Sequence, residues 1–288
     1  MTIRPRRSAL YMPGSNARAI EKAKSLETDV VIFDLEDAVA PDAKQQARDQ
    51  VKAAVQGGGY GRREVVVRVN GLDSAWIDED VAAFKDAGAD ALLVPKVESG
   101  EHIERVEEML ADAPAGLGIW AMIETPLAIV NVAEIARTAS KAGGRLKCFV
   151  VGTNDLVKDT RAELDDQRTP ALYWLSATVT AARAFGIDVL DGVYNDFKDL
   201  DGLARECAQG RMLGMDGKTL IHPTQLDAAN DAFSPSDEEI AWARRILEAF
   251  TLPENQGKGV INMDGRMVEL LHAEMAKRTV AIGDAIGR

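Results

Sequence analysis

The sequence predicts an α/β fold, a closed (β/α)8 barrel with a C-terminal helical extension, and three observations predict it. Eight short β-like runs recur up to residue 223, stretches of helical period lie between them, and no GxGxxG fingerprint follows the first run.

The β-like runs are SALYMP (8–13), DVVIFDLED (29–37), EVVVRVNG (64–71), ALLVPKVE (91–98), GIWAMIET (118–125), CFVVGTNDL (148–156), IDVLDGVY (187–194) and GKTLIHP (217–223). Several are continuously apolar rather than alternating, as parallel strands covered on both faces are. The helical stretches are NARAIEKAKSLE, DAKQQARDQVKAAV, AWIDEDVAAFKDAG, GEHIERVEEMLADA, LAIVNVAEIARTASKAG, PALYWLSATVTAARAFG and LDGLARECAQG. Several close on Gly, a helix C-cap signal. Repeated strand–helix alternation closes a barrel more economically than it extends an open doubly wound sheet.

Beyond the eighth run, TQLDAANDAF and SPSDEEIAWARRILEAF read as helices, the second opened by the capping signal SPSDEE. A polar, Gly-containing stretch, LPENQGKGVINMDGR, leads to the amphipathic segment MVELLHAEMAKRTVAIGDAI. The expected division is a barrel domain over 1–231 and a helical extension over 232–288, packed on the barrel or on a neighbouring subunit.

The formal net charge of −12 argues against nucleic acid as a partner, since phosphate binding needs a cationic surface. Arg4, Arg6 and Arg7, then Arg18, Lys22 and Lys24, make a local basic patch near the N-terminus. It reads either as a solvated face or as the seat of one small anionic ligand. No apolar run approaches the roughly 20 residues that span a bilayer, so no membrane partner is expected. The first residues lack an apolar stretch and a small-residue cleavage site. Cys148 and Cys207 have no metal-type spacing and read as buried thiols, so the expected compartment is the cytoplasm.

In such barrels the active site lies at the carboxyl ends of the strands. The polar residues there are Asp34, Glu36 and Asp37; Arg68 and Asn70; Lys96 and Glu98; Glu124 and Thr125; Asn154 and Asp155; Asp191, Tyr194, Asn195 and Asp196; and His222. So many converging carboxylates call for a positive centre. A hard divalent cation suits them, because Mg²⁺ prefers oxygen and keeps one or two protein carboxylates. Glu124 and Asp155 each end an apolar run; they read as metal ligands or as carboxylates paired with Arg68 or Lys96. Arg68 suits a carboxylate or enolate oxygen, or else an ion pair. His222 reads as a general base or as a structural residue. No Ser-His-Asp set stands out, and Lys96 is the only candidate for a Schiff-base lysine.

Taken in order, RSALYMPGSNARAIEKA, DVVIFDLEDAV, RVNG, VPKVES, MIETPLAIVN, GTNDL and DGKTLIHP resemble the citrate lyase β-subunit-like family. That family includes malyl-CoA and citramalyl-CoA lyases and a malyl-CoA thioesterase branch, within the wider HpcH/HpaI aldolase superfamily. The resemblance runs from Arg7 to the tail. It implies a TIM barrel, Mg²⁺ or Mn²⁺ in its place, a CoA thioester as substrate, and a homo-oligomer, a trimer or dimer of trimers. It makes Glu124 and Asp155 the metal ligands and Arg68 the arginine on the oxo-acid or enolate oxygen. Lys22 would lie near the CoA phosphates with Tyr11 beside it. Glu36 and Asp37 would orient metal-bound water, and the backbone of Asn154 would face the substrate carboxylate.

One motif departs from the pattern. Lyases of that family end in a tail such as GKMVDAP or MIDMP, whose Asp enters a neighbouring subunit's site as the acid/base. Here the tail reads GRMVELLH, with Glu269 at the Asp position and no Pro after it, while Asp264 lies outside the motif's catalytic position. One methylene moves the carboxylate by about an ångström, and such misplacement can lower a rate about 100-fold. The resemblance therefore implies first a lyase that cleaves a 3-hydroxyacyl-CoA such as (3S)-malyl-CoA into glyoxylate and acetyl-CoA, with Glu269 and Arg68 as catalytic residues. The alternative is a (3S)-malyl-CoA thioesterase in which Glu269 activates water. A metal-dependent aldolase acting on a substrate without CoA, and a non-catalytic subunit of a larger complex, are the remaining readings.

Overall fold

The structure, a computed structural model, describes residues 3–288. Eight parallel strands close into a barrel in sequence order: β1 (Ser8–Pro13), β2 (Val30–Asp34), β3 (Glu64–Arg68), β4 (Ala91–Val94), β5 (Gly118–Ile123), β6 (Leu146–Val151), β7 (Asp188–Asp191) and β8 (Gly217–Leu220). The helices between them are α1 (Ala17–Lys22), α2 (Lys44–Gly57), α3 (Ile77–Phe84), α4 (Gly100–Met109), the pair α5 (Pro126–Val130) and α6 (Val132–Arg137), then α7 (Thr153–Thr160), α8 (Leu172–Ala184) and α9 (Leu200–Leu213). After β8 come α10 (Leu226–Phe233) and α11 (Asp237–Thr251). A hairpin of β9 (Val260–Met263) and β10 (Arg266–Glu269) then leads to α12 (Leu270–Ile286).

Contacts divide the described residues into two units, one of Arg6–Ala232 and one of residues 3–5 with Phe233–Arg288. In the barrel unit the strand period of two sorts the side chains. Ala9, Val30, Ile32, Val66, Ala91, Leu93, Trp120, Met122, Cys148, Val150 and Leu190 fill the interior, and Tyr11 packs against them. The same parity puts Asp34, Arg68 and Glu124 on the inside, one layer above that apolar filling.

Seven of the eight strands are shorter than, or shifted from, the β-like runs in the sequence; β1 alone coincides with its run. The polar ends of the other runs leave the ladder and become the loops that rim the barrel. One consequence is that Asp155 lies on no strand: GTNDL turns at Gly152 into α7, and Asp155 sits in its first turn. LAIVNVAEIAR is likewise two helices broken at Asn131, not one.

The amino-terminal end of the barrel is closed by Arg6. Its Nε and Nη2 reach both oxygens of Glu64 at 2.7 Å, and its Nη1 reaches Asp188 at 2.8 Å. The guanidinium lies 4.8 Å from the Trp120 ring centroid. Arg7 grips Asp29 through Nε and Nη2, each at 2.8 Å. Neither reading of the basic patch holds for these two arginines: they are largely buried ion pairs at the end opposite the expected active site, not a solvated face or an anion seat.

The C-terminal unit has its own core of Ala243, Ile246, Ile261, Val268, Ala273 and Ala276. Ser236 caps α11 in a reciprocal box with Glu239, as SPSDEE predicts. A Cβ on Gly283 would lie 2.8 Å from Ile240 Cδ1, so α11 and α12 cross where one has no side chain. The hairpin departs from the polar linker that the sequence predicts over this stretch. Its turn is Asp264-Gly265, with φ of 51° and 77°, the positive values that a tight hairpin turn requires.

Candidate active site

Three inward-facing charged residues, Asp34, Arg68 and Glu124, cap the apolar interior at the carboxyl ends of β2, β3 and β5. A cavity of about 360 Å³ opens above them. It is lined by Tyr11, Asp37, Met122, Thr153, Asn154, Asp155, Val193, Asn195 and Thr219 among others.

Arg68 is the hub. Its Nε and Nη2 meet Asp34 Oδ1 and Oδ2 at 2.7 and 2.6 Å, a two-pronged pair. Its Nη1 reaches Glu36 at 2.8 Å and Asp37 at 3.3 Å. The guanidinium also stacks 5.0 Å from the Tyr11 ring centroid. Burial opposes its charge, but Asp34 and the other acids hold it firmly protonated. Burial also pushes the Tyr11 phenol above its ordinary range, and its hydroxyl has no hydrogen-bond partner.

Glu124 is 2% exposed. Its Oε1 accepts the backbone N–H of Lys96 at 2.8 Å. Lys96 adopts a left-handed backbone at this point, φ 50°, which is strained for a residue with a side chain. Burial pushes the Glu124 carboxyl up to about 7, and the Asp155 charge adds to the rise. Gly152 makes room for it: a Cβ there would lie 2.4 Å from Glu124 Cβ and 2.6 Å from Oε2. Asp155 is partly exposed, with Lys158 Nζ 4.0 Å away.

Among the described residues no ammonium or guanidinium pairs with Glu124. Arg68 is committed to Asp34, Glu36 and Asp37, and Lys96 offers only its backbone. Glu36 is also pushed up, to about 7, by burial first and by the neighbouring acids against the pull of Arg68. Five carboxylates, Asp34, Glu36, Asp37, Glu124 and Asp155, thus share one arginine. Of these, Glu124 has no cation at ion-pair distance among the described residues and Asp155 has only the exposed Lys158, at 4.0 Å; both are hard oxygen donors. That donor set fits a divalent cation that keeps its other positions for water or substrate oxygens. No group of three or more metal-ligating side chains occurs among the described residues, so a pair is what this site offers.

The other expected site residues fall in different places. Tyr11 lines the cavity under Arg68, whereas Lys22 stands exposed on the last turn of α1 and does not line it. The cavity therefore does not bring Tyr11 and Lys22 together. Asn154 lines the cavity, and its side chain exchanges two hydrogen bonds with Asn195, at 3.1 and 2.8 Å. Glu269 belongs to the C-terminal unit, where it caps α12: its side chain accepts from the backbone N–H of His272, and its own N–H donates to His272 Nδ1 at 2.9 Å. His222 caps the turn Pro223–Gln225 and stacks on Phe197 with centroids 4.6 Å apart.

Two features went unread in the sequence. Asp34, seen there only as one more strand-end acid, is the partner that orients Arg68. Lys218, in GKTLIHP, is wholly buried in an ion cluster with Asp191, Glu206 and Arg168. A lysine inside an otherwise strand-like run is a signal that could have found it.

An eight-stranded barrel with an acid-rich carboxyl-terminal mouth around one arginine defines an α/β-barrel enzyme class. The chain belongs to the HpcH/HpaI aldolase/citrate lyase family, whose model matches residues 7–223. It is 48% identical over 282 residues to a (3S)-malyl-CoA thioesterase of Cereibacter sphaeroides, covering 98% of this chain and 96% of that protein. It is 36% identical to the citrate lyase subunit beta of Escherichia coli K12, covering 92% and 89%. Among solved structures it resembles the CitE protein of Mycobacterium tuberculosis in complex with magnesium, acetoacetate and coenzyme A. The TM-score is 0.72 at 30% identity, over 96% of this chain and 97% of that one. No helix among the described residues is long and apolar enough to cross a membrane.

Proposed function

We propose that this chain hydrolyses the thioester of a 3-hydroxyacyl-CoA of the (3S)-malyl-CoA type. The observation that carries this reading is the 48% identity, over nearly the full length of both chains, to (3S)-malyl-CoA thioesterases. It reverses the order expected from the sequence, in which carbon–carbon cleavage comes first.

The mouth of the barrel supplies what such a reaction needs at the acyl end. Glu124 and Asp155 would hold Mg²⁺, which when bound supplies a Lewis acid for the substrate's carboxylate and hydroxyl oxygens. Arg68, fixed by the Asp34 fork, offers a permanent positive charge to an oxyanion. Tyr11 presents an apolar ring beneath the guanidinium. Glu269 accepts a proton from water as the water oxygen bonds to the thioester carbonyl carbon. The C–S bond then breaks, and the same carboxyl returns the proton to the departing thiolate.

A homo-oligomer is part of this reading, with Glu269 delivered to a neighbouring subunit's site. The exposed apolar side chains Met267, Leu270, Leu271 and Met275 around Glu269 support it. The second reading is a lyase, favoured by the likeness to citrate lyase subunit beta.

The deciding experiment follows purified protein, Mg²⁺ and (3S)-malyl-CoA by two assays at once. Free thiol with malate, and no glyoxylate, is the expected outcome. Glyoxylate and acetyl-CoA in equal amounts, with no thiol released, would overturn the hydrolase reading in favour of the lyase.

A further inference from the structure

Behind the barrel wall, on the side of β7 and β8 that faces α9, lies a buried cluster that the chemistry above does not use. Lys218 Nζ has no exposure; it reaches Asp191 Oδ2 at 3.1 Å, the Gly192 carbonyl at 2.5 Å, and Glu206. Asp191, also without exposure, accepts from Arg168 Nη1 at 2.8 and 3.0 Å and from the Gly192 N–H at 2.9 Å. Arg168 Nε donates to Gln209 at 2.7 Å. Two cations and two anions balance in charge, yet burying such a group is a poor way to gain stability, since apolar side chains of similar volume often do as well.

What the cluster does hold is the backbone of one residue, through the two peptide groups that flank it. Gly192 is gripped at its N–H by Asp191 and at its carbonyl by Lys218. Gly192 in turn lies close to the start of α7 with no room for a side chain: a Cβ there would lie 2.7 Å from Thr153 Oγ1 and 2.8 Å from the Val151 carbonyl. Thr153 is two residues before Asp155 in the first turn of α7, and Gly152 abuts Glu124 from the same segment. Lys218 therefore holds the backbone of a residue whose close approach to Thr153 leaves no room for a side chain, and Thr153 and Gly152 belong to the segment that carries Asp155 and abuts Glu124.

We propose that Lys218 is a positioning residue for the divalent-cation site, setting the separation of Asp155 from Glu124 through Gly192 and Thr153. This rests on the reading that Glu124 and Asp155 hold the cation. A carboxylate pair binds a small ion well only at the right spacing, and groups that orient ligands from behind typically change metal affinity about 10–100-fold when removed.

The test is the double variant Lys218→Met/Glu206→Gln, which removes one cation and one anion and leaves the Arg168–Asp191 pair balanced. Titration calorimetry of the full chain with Mg²⁺ alone is expected to show a Kd raised about 10–100-fold. In turnover kcat is expected to fall at saturating substrate, and raised Mg²⁺ is expected to restore part of it. A folded double variant with an unchanged Mg²⁺ Kd and an unchanged kcat would overturn the inference, even if its Tm fell. If the double variant does not fold, Gly192→Ala pushes Thr153 directly with the ion cluster intact. The same weakening is expected there, and an unchanged Mg²⁺ Kd would overturn the inference. Wild-type protein that takes up no Mg²⁺ would overturn the cation site itself, and this inference with it.

Discussion

Asp34 and Arg68, neighbours in register at the ends of β2 and β3, form a two-pronged ion pair with both contacts at or below 2.7 Å. The pair fixes the plane of Arg68, the one guanidinium among the described residues that line this cavity. Asp34→Asn would leave Arg68 charged but free to rotate toward Glu36 and Asp37. Breaking one partner out of a buried pair costs about 3–5 kcal/mol. The expected outcome is a lower Tm together with a fall in kcat/KM of about 100-fold. Arg68→Lys, which keeps the charge and loses the fork, is expected to be nearly as damaging. Thermal unfolding and steady-state kinetics on the two variants check both.

The raised carboxyl of Glu124 ties stability and metal affinity to pH. Its folded value, about 7, lies above its ordinary 4.5, so between those values the folded chain holds a proton that the unfolded chain has lost. The stability of the metal-free protein from this group is therefore full below about pH 4.5 and is lost as pH rises toward 7. A cation must displace that proton. Mg²⁺ affinity is expected to fall as pH drops below 7, with proton release on binding visible as a buffer-dependent enthalpy in calorimetry. Glu124→Gln is expected to abolish Mg²⁺ binding and to remove this part of the pH dependence of Tm.

Gly152 is expected to tolerate no side chain. A methyl at 2.4 Å from Glu124 Cβ must move either the carboxylate or the start of α7. Overpacking of this kind costs about 1–3 kcal/mol. Gly152→Ala should show that loss in denaturant melts and a larger loss in activity, because the displaced groups are Glu124 and the helix carrying Asp155. An active variant of ordinary stability would mean that the mouth is far more yielding than its packing suggests.

Glu269 carries the proton in the reading offered here. Glu269→Gln is expected to keep Mg²⁺ affinity and to lose thiol release by at least about 100-fold. If the residue serves a neighbouring subunit, mixing and refolding Glu269→Gln with Glu124→Gln chains should recover part of the activity, since some sites would then be complete. Full activity in Glu269→Gln alone would remove the residue from the mechanism.

Much of this was legible in the chain itself. Eight apolar runs alternating with amphipathic ones predict parallel strands covered on both faces and joined by helices, an arrangement that closes most economically as a barrel. Strand parity puts Asp34, Arg68 and Glu124 on the same face as the apolar residues two before them, and inter-strand register then sets them in one layer. SPSDEE marks the start of α11 because a Ser cap and a Glu three residues on satisfy free N–H groups. Asp155 could be chosen from the sequence, but not its setting: a helix turn begins where an apolar run had suggested strand.

Tertiary structure decided the rest, because partner choice depends on distances between strands that the sequence does not carry. Arg6, Arg7 and Arg68 look alike as isolated basic residues. Only the closed barrel gives the first to Glu64 and Asp188, the second to Asp29, and the third to Asp34 and its neighbours. Lys218 and Thr219 are adjacent in sequence, yet one is locked behind the wall and the other lines the cavity. The sequence by itself determined that acids and one arginine would meet at the barrel mouth. Folding decided which acids the arginine neutralises: Asp34, Glu36 and Asp37, and not Glu124 or Asp155.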